Sequence, residues 1–192
     1  MHLIVITRPE FFDGETALCN DMLRAGLERL HLRKPGASGE AMAAWIDEID
    51  PLLRRRIVVH DNHYLTRDYE LGGIHLNSRN PEVPEWLDRN RFSVSRSCHT
   101  IAELAQFRQT CDYLFLSPIF DSISKEGYHA AFSPEELAEA KAAGLLADKV
   151  YALGGVSFDN LHAVEAMGFA AAAMLGAVWS TPQEAIYYFN HK

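Results

Sequence analysis

The chain has 192 residues, 48% of them hydrophobic and 23% charged, with a formal net charge of −8. That length holds one domain with a sizeable core, and the acidic balance argues against bulk nucleic-acid or anionic-membrane binding while leaving room for a local basic pocket. Three cysteines without CxxC spacing (Cys19, Cys98 and Cys111), no apolar run of membrane length and no signal-peptide pattern point to a reduced, cytoplasmic setting.

Residues 2–7, HLIVIT, read as a buried strand. Residues 15–27 place Ala17, Leu18, Met22, Leu23 and Leu27 at helical spacing. A second strand covers 27–33 and ends in HLRKP; a helix over 38–53 follows, which Pro51 must kink or end. RIVVHD (56–61) is the third strand, with a short helix around 63–69, and GIHLN (73–77) is the fourth. Residues 81–90 carry two prolines and suit no more than a helical turn. FSVSRS (92–97) is the fifth strand, and Thr100 with Glu103 forms a capping-box pattern before a helix over 101–109. YLFLSPIF (113–120) is the sixth, followed by a polar loop at 121–131 and a helix opened by Ser133, Pro134 and Glu136. Residues 150–153 and 170–175 are the last two strands, and Thr181, Pro182 and Glu184 begin the final helix.

Strand and helix thus alternate about eight times, and the strands are continuous apolar runs, as strands covered on both faces are. The pattern predicts a single-domain α/β (β/α)₈ barrel; an open doubly wound sheet is the alternative. In such a barrel the site lies at the C-terminal strand ends. There the sequence collects His31 and Arg33, His60 and Asp61, His75, Asn77 and Asn80, Ser95, Ser97 and His99, then Ser122, Ser124 and Lys125. KVYALGGVSFDN (149–160) runs from a strand through Gly154 and Gly155 into a helix start. Glycines that let a ligand approach backbone N–H groups, next to a helix start, suit a phosphate; a plain tight turn is the other reading. His60, His75 and His99 could gather around a metal, but they lack the close pairing of a strong metal motif. Asp61 is the best single carboxylate for Mg²⁺, or else caps the next helix. Cys98, with no base fixed beside it, reads as structural.

HLRKP (31–35), HDNHYLTRDYELGGIHLNSRN (60–80), VSRSCHT (94–100), DYLFLSPIFDSISK (112–125), ALGG (152–155) and MGFAAAAMLGAV (167–178) resemble, in order and spacing, the thiamine phosphate synthases and their sibling, the thiazole tautomerase. The resemblance covers nearly the whole chain, and both families are (β/α)₈ barrels that act on a thiazole phosphate. It implies that Arg33, Ser97 and Lys125 serve catalysis and that Asp61 and Asn80 stand at the Mg²⁺ positions. It also implies that His31, His60, Ser122, Ser124, Gly154, Gly155, Leu175 and Gly176 bind substrate.

This sequence departs from the synthase pattern at several places, among them His60 where an Asn is usual and Ser122 and Ser124 where threonines are. His31 replaces a Gln, Pro35 stands at the position of a Lys with Lys34 one place early, and Asn80 replaces the second Mg²⁺ aspartate. Losing one of two carboxylates weakens a Mg²⁺ site. His31 is tautomerase-like, yet Pro118 stands where the tautomerase has its catalytic His and where the synthase has proline. The leading expectation is a transferase that joins aminomethylpyrimidine diphosphate to thiazole phosphate and releases pyrophosphate. The alternatives are a thiazole tautomerase, with His31, His60 or His99 as acid–base, and a non-catalytic thiazole-phosphate-binding regulator. The partners are then phosphorylated small molecules, with no nucleic acid and no membrane; a homo-oligomer is left open.

Overall fold

The computed structural model describes residues 1–121 and 129–191. Eight parallel strands close into a barrel in chain order: β1 (His2–Ile6), β2 (Arg29–Leu32), β3 (Ile57–Val59), β4 (Gly73–Leu76), β5 (Ser93–Cys98), β6 (Tyr113–Leu116), β7 (Val150–Ala152) and β8 (Ala171–Met174). Closure is made by β1 on β8, with His2 opposite Ala171 and Val5 opposite Met174. Around them run α1 (Glu15–Arg24), α2 (Gly39–Asp47), α3 (Leu65–Asp68), α4 (Ile101–Phe107), α5 (Pro134–Ala142), α6 (Leu161–Ala166), α7 (Gly176–Ser180) and α8 (Pro182–Asn190). The expected barrel is thus observed, and the open sheet is not. Among the described residues no helix is long and apolar enough to cross a membrane.

Strand alternation divides the core in two. Leu30, Leu32, Ile57, Val59, Ile74, Leu76, Val94, Leu114 and Leu116 face outward into one large cluster with the helices. The inward residues differ between the barrel's halves. β1, β6 and β8 contribute Ile4, Ile6, Tyr113, Phe115 and Ala173, with Tyr151 and Leu153 packed against them. β2, β4 and β5 instead contribute His31, His75 and Ser95, all fully buried. One half of the interior is therefore apolar and the other is imidazole and hydroxyl.

The helix boundaries follow the local chemistry. Ser38 caps α2 by accepting the Ala41 N–H. Pro51 ends that helical stretch as anticipated, opening a separate 3₁₀ segment, Pro51–Arg56, capped by Asp50. Ser133 and Glu136 form the full reciprocal capping box on α5. The Thr100 box is only half formed. Thr100 accepts the Glu103 N–H, but the Glu103 carboxylate turns to the N–H of His99. The barrel is lean against a typical ~250 residues: α3 is a single turn, and 77–92 contains no helix. The short helix α7, wedged between β8 and α8, has no counterpart in the sequence expectations. It is tied down where the Trp179 indole donates to the Ile6 carbonyl at 2.7 Å.

Candidate active site at the C-terminal mouth of the barrel

A cavity of about 570 Å³ opens at the C-terminal strand ends. One wall comes from β7, β8 and α7 and holds Leu153, Gly154, Gly155, Leu175 and Gly176. The facing wall, from β5 and the loops after β2, β4 and β5, holds Arg33, Arg79, Arg96, Ser97 and His99. In a closed eight-strand order β3 and β4 lie across the barrel from β7 and β8, so the glycine wall and the cationic wall oppose one another.

The glycine wall has its shape because no side chain fits there. Gly154 and Gly155 both adopt positive φ, +92° and +64°. A Cβ on Gly154 would lie 2.7 Å from Pro118 Cα, and one on Gly155 would lie 2.3 Å from the Asp121 carbonyl oxygen. The chain here packs backbone on backbone: Ile119 N–H bonds Leu153 O, and Phe120 N–H bonds Gly154 O. Ser157 is the cap of the following 3₁₀ turn, and its N–H is held by Asn160 Oδ1 at 2.9 Å.

The cavity floor is a linked set of imidazoles. His60 and His75 stack with ring centroids 4.1 Å apart. His31, expected to bind substrate, lies beneath them and is not among the residues of the cavity wall. It bonds His60 Nε2 through Nδ1 at 3.0 Å and the Tyr113 hydroxyl through Nε2 at 2.7 Å. His75 is held between Ser95 at 2.8 Å and Ser97 at 2.9 Å. His31, His60 and His75 form the metal-capable group that the sequence spacing did not predict, with His31 in place of His99. Hydrogen bonding already occupies both nitrogens of His31 and of His75. The trio therefore reads as a neutral hydrogen-bonded floor. Burial, reinforced by neighbouring positive charge, pushes His75 down to about 3 and holds His31 and His60 well below the ordinary histidine value.

The expected metal pair takes a different form. Asp61 Oδ1 accepts from Arg79 Nε at 3.1 Å and from Asn80 Nδ2 at 2.9 Å, and Oδ2 accepts from Arg79 Nη2 at 2.9 Å. Asp61 therefore does not cap α3, whose N-cap is Tyr64 with no side-chain bond. Arg79 lines the cavity; Asp61 and Asn80 do not. A Mg²⁺ ion needs oxygen ligands open to it. One carboxylate closed off by a guanidinium, with an amide turned N–H inward, does not fit a resident Mg²⁺. Asn77 builds the turn that presents Arg79, its Oδ1 accepting the N–H groups of Arg79 and Asn80.

Arg33 and Ser97 stand in the cavity wall. Ser122, Ser124 and Lys125 lie outside the described residues. Cys98 is buried, and burial pushes its thiol up to about 12, which suits the structural role assigned to it. Sequence reasoning missed Arg79, Arg96, Ser95's link to His75, and Tyr113. For Arg79 a signal existed, since it sits between Asn77 and Asn80, both singled out as polar strand-end residues.

A family model described as thiamine monophosphate synthase matches residues 3–178. The thiamine-phosphate synthase of Dictyoglomus turgidum is 27% identical over 190 residues, spanning 94% of this chain and 84% of that protein. That of Limosilactobacillus fermentum is 27% identical over 165 residues, spanning 81% and 76%. Thiamine phosphate pyrophosphorylase from Bacteroides thetaiotaomicron superposes with a TM-score of 0.87 at 36% identity, over 99% of this chain and 94% of that one. The corresponding Pyrococcus furiosus structure, at 17% identity and a TM-score of 0.71 over 98% and 96%, shares the fold. With the family model spanning all eight strands, this chain belongs to the thiamine monophosphate synthase family.

Proposed function

We propose that this chain is a thiamine-phosphate-synthase-type transferase, joining aminomethylpyrimidine diphosphate to thiazole phosphate. The observation that supports this reading is one cavity with two opposed walls, glycine backbone on one side and guanidinium on the other, each of a kind suited to a phosphate. A substrate pair with a phosphate at each far end places its reacting atoms between them.

In this reaction the pyrimidine methylene carbon loses its C–O bond to diphosphate, and the thiazole nitrogen forms the new C–N bond. The leaving group takes the bonding electron pair, and no proton has to move. The protein's task is to stabilise charge on departing pyrophosphate and to hold the nucleophile in line. Arg33, Ser97 and Lys125 are proposed to bind the diphosphate, joined by the hydroxyls of Ser122 and Ser124. The backbone at Gly154, Gly155, Leu175 and Gly176 is proposed to bind the thiazole phosphate. His60 lines the floor between them, and His31 supports it from below. No step here is routed through Mg²⁺, because the Asp61–Asn80 pair does not fit it.

Pro118 lines the cavity at the position where a tautomerase would carry its catalytic histidine, which disfavours that alternative. The test is incubation with both substrates. The transferase reading expects thiamine phosphate and pyrophosphate in equal amounts. Thiazole phosphate binding with no turnover of either substrate would leave the chain a binding protein.

A further inference from the structure

Arg79 presents a guanidinium to the cavity at the point where family resemblance implies a divalent cation. Its Nε and one Nη2 hydrogen are used side-on against the Asp61 carboxylate, the paired geometry that fixes the plane of a guanidinium. The remaining Nη1 and Nη2 hydrogens have no bonded partner among the described residues, and Arg79 lines the cavity. Asp61, with its side chain 14% exposed, stands behind it.

The charges make the exchange coherent. A divalent ion between two carboxylates sums to zero, and so does a guanidinium beside one carboxylate and a neutral amide. Asn80 is what makes the second arrangement stable. Its Nδ2 donates to Asp61 Oδ1 at 2.9 Å, where a carboxylate at position 80 would meet Asp61 as a like charge. Asn80, where the family resemblance implies an aspartate, and Arg79 thus fit together as one arrangement.

We infer that Arg79, clamped by Asp61 and Asn80, is the cation that binds the diphosphate group in this chain, so that diphosphate binding does not require Mg²⁺. A planar guanidinium with several free N–H groups is suited to phosphate oxygens, and its fixed plane means little ordering remains when the ligand arrives. The identity of the diphosphate as the pyrimidine substrate rests on the transferase reading above; the class of ligand, a condensed diphosphate, does not.

The test is calorimetric titration of inorganic pyrophosphate into wild type and Arg79→Gln, each in EDTA and in excess Mg²⁺, with turnover of the two transferase substrates measured in parallel. Arg79 is 48% exposed in its side chain, so the variant is expected to fold, and circular dichroism checks this. Wild type should bind pyrophosphate in EDTA about as tightly as in Mg²⁺, and Arg79→Gln should lose about tenfold or more in EDTA, the scale of a charge-assisted bond. Wild-type binding that collapses in EDTA, or Arg79→Gln binding equal to wild type in EDTA, would overturn the inference. Turnover and binding separate the two claims. EDTA-resistant, Arg79-dependent pyrophosphate binding in a chain that makes no thiamine phosphate retires the transferase reading and keeps this one. Thiamine phosphate synthesis that stops in EDTA, together with loss of pyrophosphate binding, does the reverse.

Discussion

Lys34 Nζ sits 2.6 and 2.7 Å from the two oxygens of the Glu15 carboxylate, and both side chains are shut away from solvent. The ammonium also donates to the Glu10 carbonyl at 2.8 Å, and Glu15 takes a further bond from the Trp45 indole at 2.9 Å. Lys34 is therefore committed beneath the loop after β2, fastening α1 and α2 to it. It does not supply the lysine that Pro35 displaces from the family pattern.

Because the pair is buried and fully bonded, removing one partner strands a charge. Lys34→Met should lower unfolding free energy by about 3–5 kcal/mol, read from urea denaturation. Lys34→Met combined with Glu15→Gln should recover part of that loss. A fall under about 1 kcal/mol for the single variant, typical of exposed pairs, would show that Glu15 finds water instead.

The imidazole floor makes stability depend on acid. His31, His60 and His75 are held neutral in the folded chain, with His75 near 3 against an ordinary 6.5. The unfolded chain binds protons that the folded one refuses, so this stability is complete above about pH 6.5 and is lost as pH falls toward the folded values. One such histidine contributes about 1.4 kcal/mol per pH unit in that window. Urea melts between pH 6.5 and 5, above the range where carboxylates dominate, should show a slope of at least that size. His75→Gln should reduce it by one histidine's share, leaving the part due to His31 and His60.

Gly155 meets two constraints at once, a φ of +64° and an Asp121 carbonyl where a Cβ would go. Gly155→Ala should lower the melting temperature, since left-handed backbone alone costs about 1–2 kcal/mol for an L-residue. It should also raise KM for thiazole phosphate about tenfold, a loss on the scale of one charge-assisted bond, while pyrophosphate affinity holds. Equal losses for both ligands would mean that the two walls are not separate sites.

Lys125 should act on the diphosphate alone. Lys125→Ala is expected to lower kcat and kcat/KM together, as loss of an interaction made in the transition state does. Binding of thiazole phosphate by itself should barely change. If turnover survives while thiazole phosphate binding is lost, the assignment of Lys125 is reversed.

Much of the fold was legible because most strands are short, largely apolar runs, and Ser38, Thr100 and Ser133 mark helix starts by side-chain chemistry. The glycine wall was legible for a similar reason, since Gly154 and Gly155 act through their own backbone. The floor was not. His31, His60 and His75 come from three strands, and only barrel closure and inward alternation bring them into contact. Arg79 was hidden differently: it lies in a loop with no periodicity, and its meaning depends on Asp61, 18 residues away.

The division of the barrel interior has a consequence for the reacting centre. A carbon that sheds diphosphate before capture becomes briefly cationic. The cavity rests on uncharged imidazoles; the Phe115 and Tyr151 rings, 6.3 Å apart by centroid, fill the other half of the barrel interior and do not line it. In the cavity lining the guanidiniums of Arg33, Arg79 and Arg96 stand in the wall, above neutral imidazoles, while Arg29 lies outside the lining against the Tyr113 ring. In the proposed transfer the departing anion would therefore meet the guanidinium wall, while the carbon it leaves would face uncharged groups.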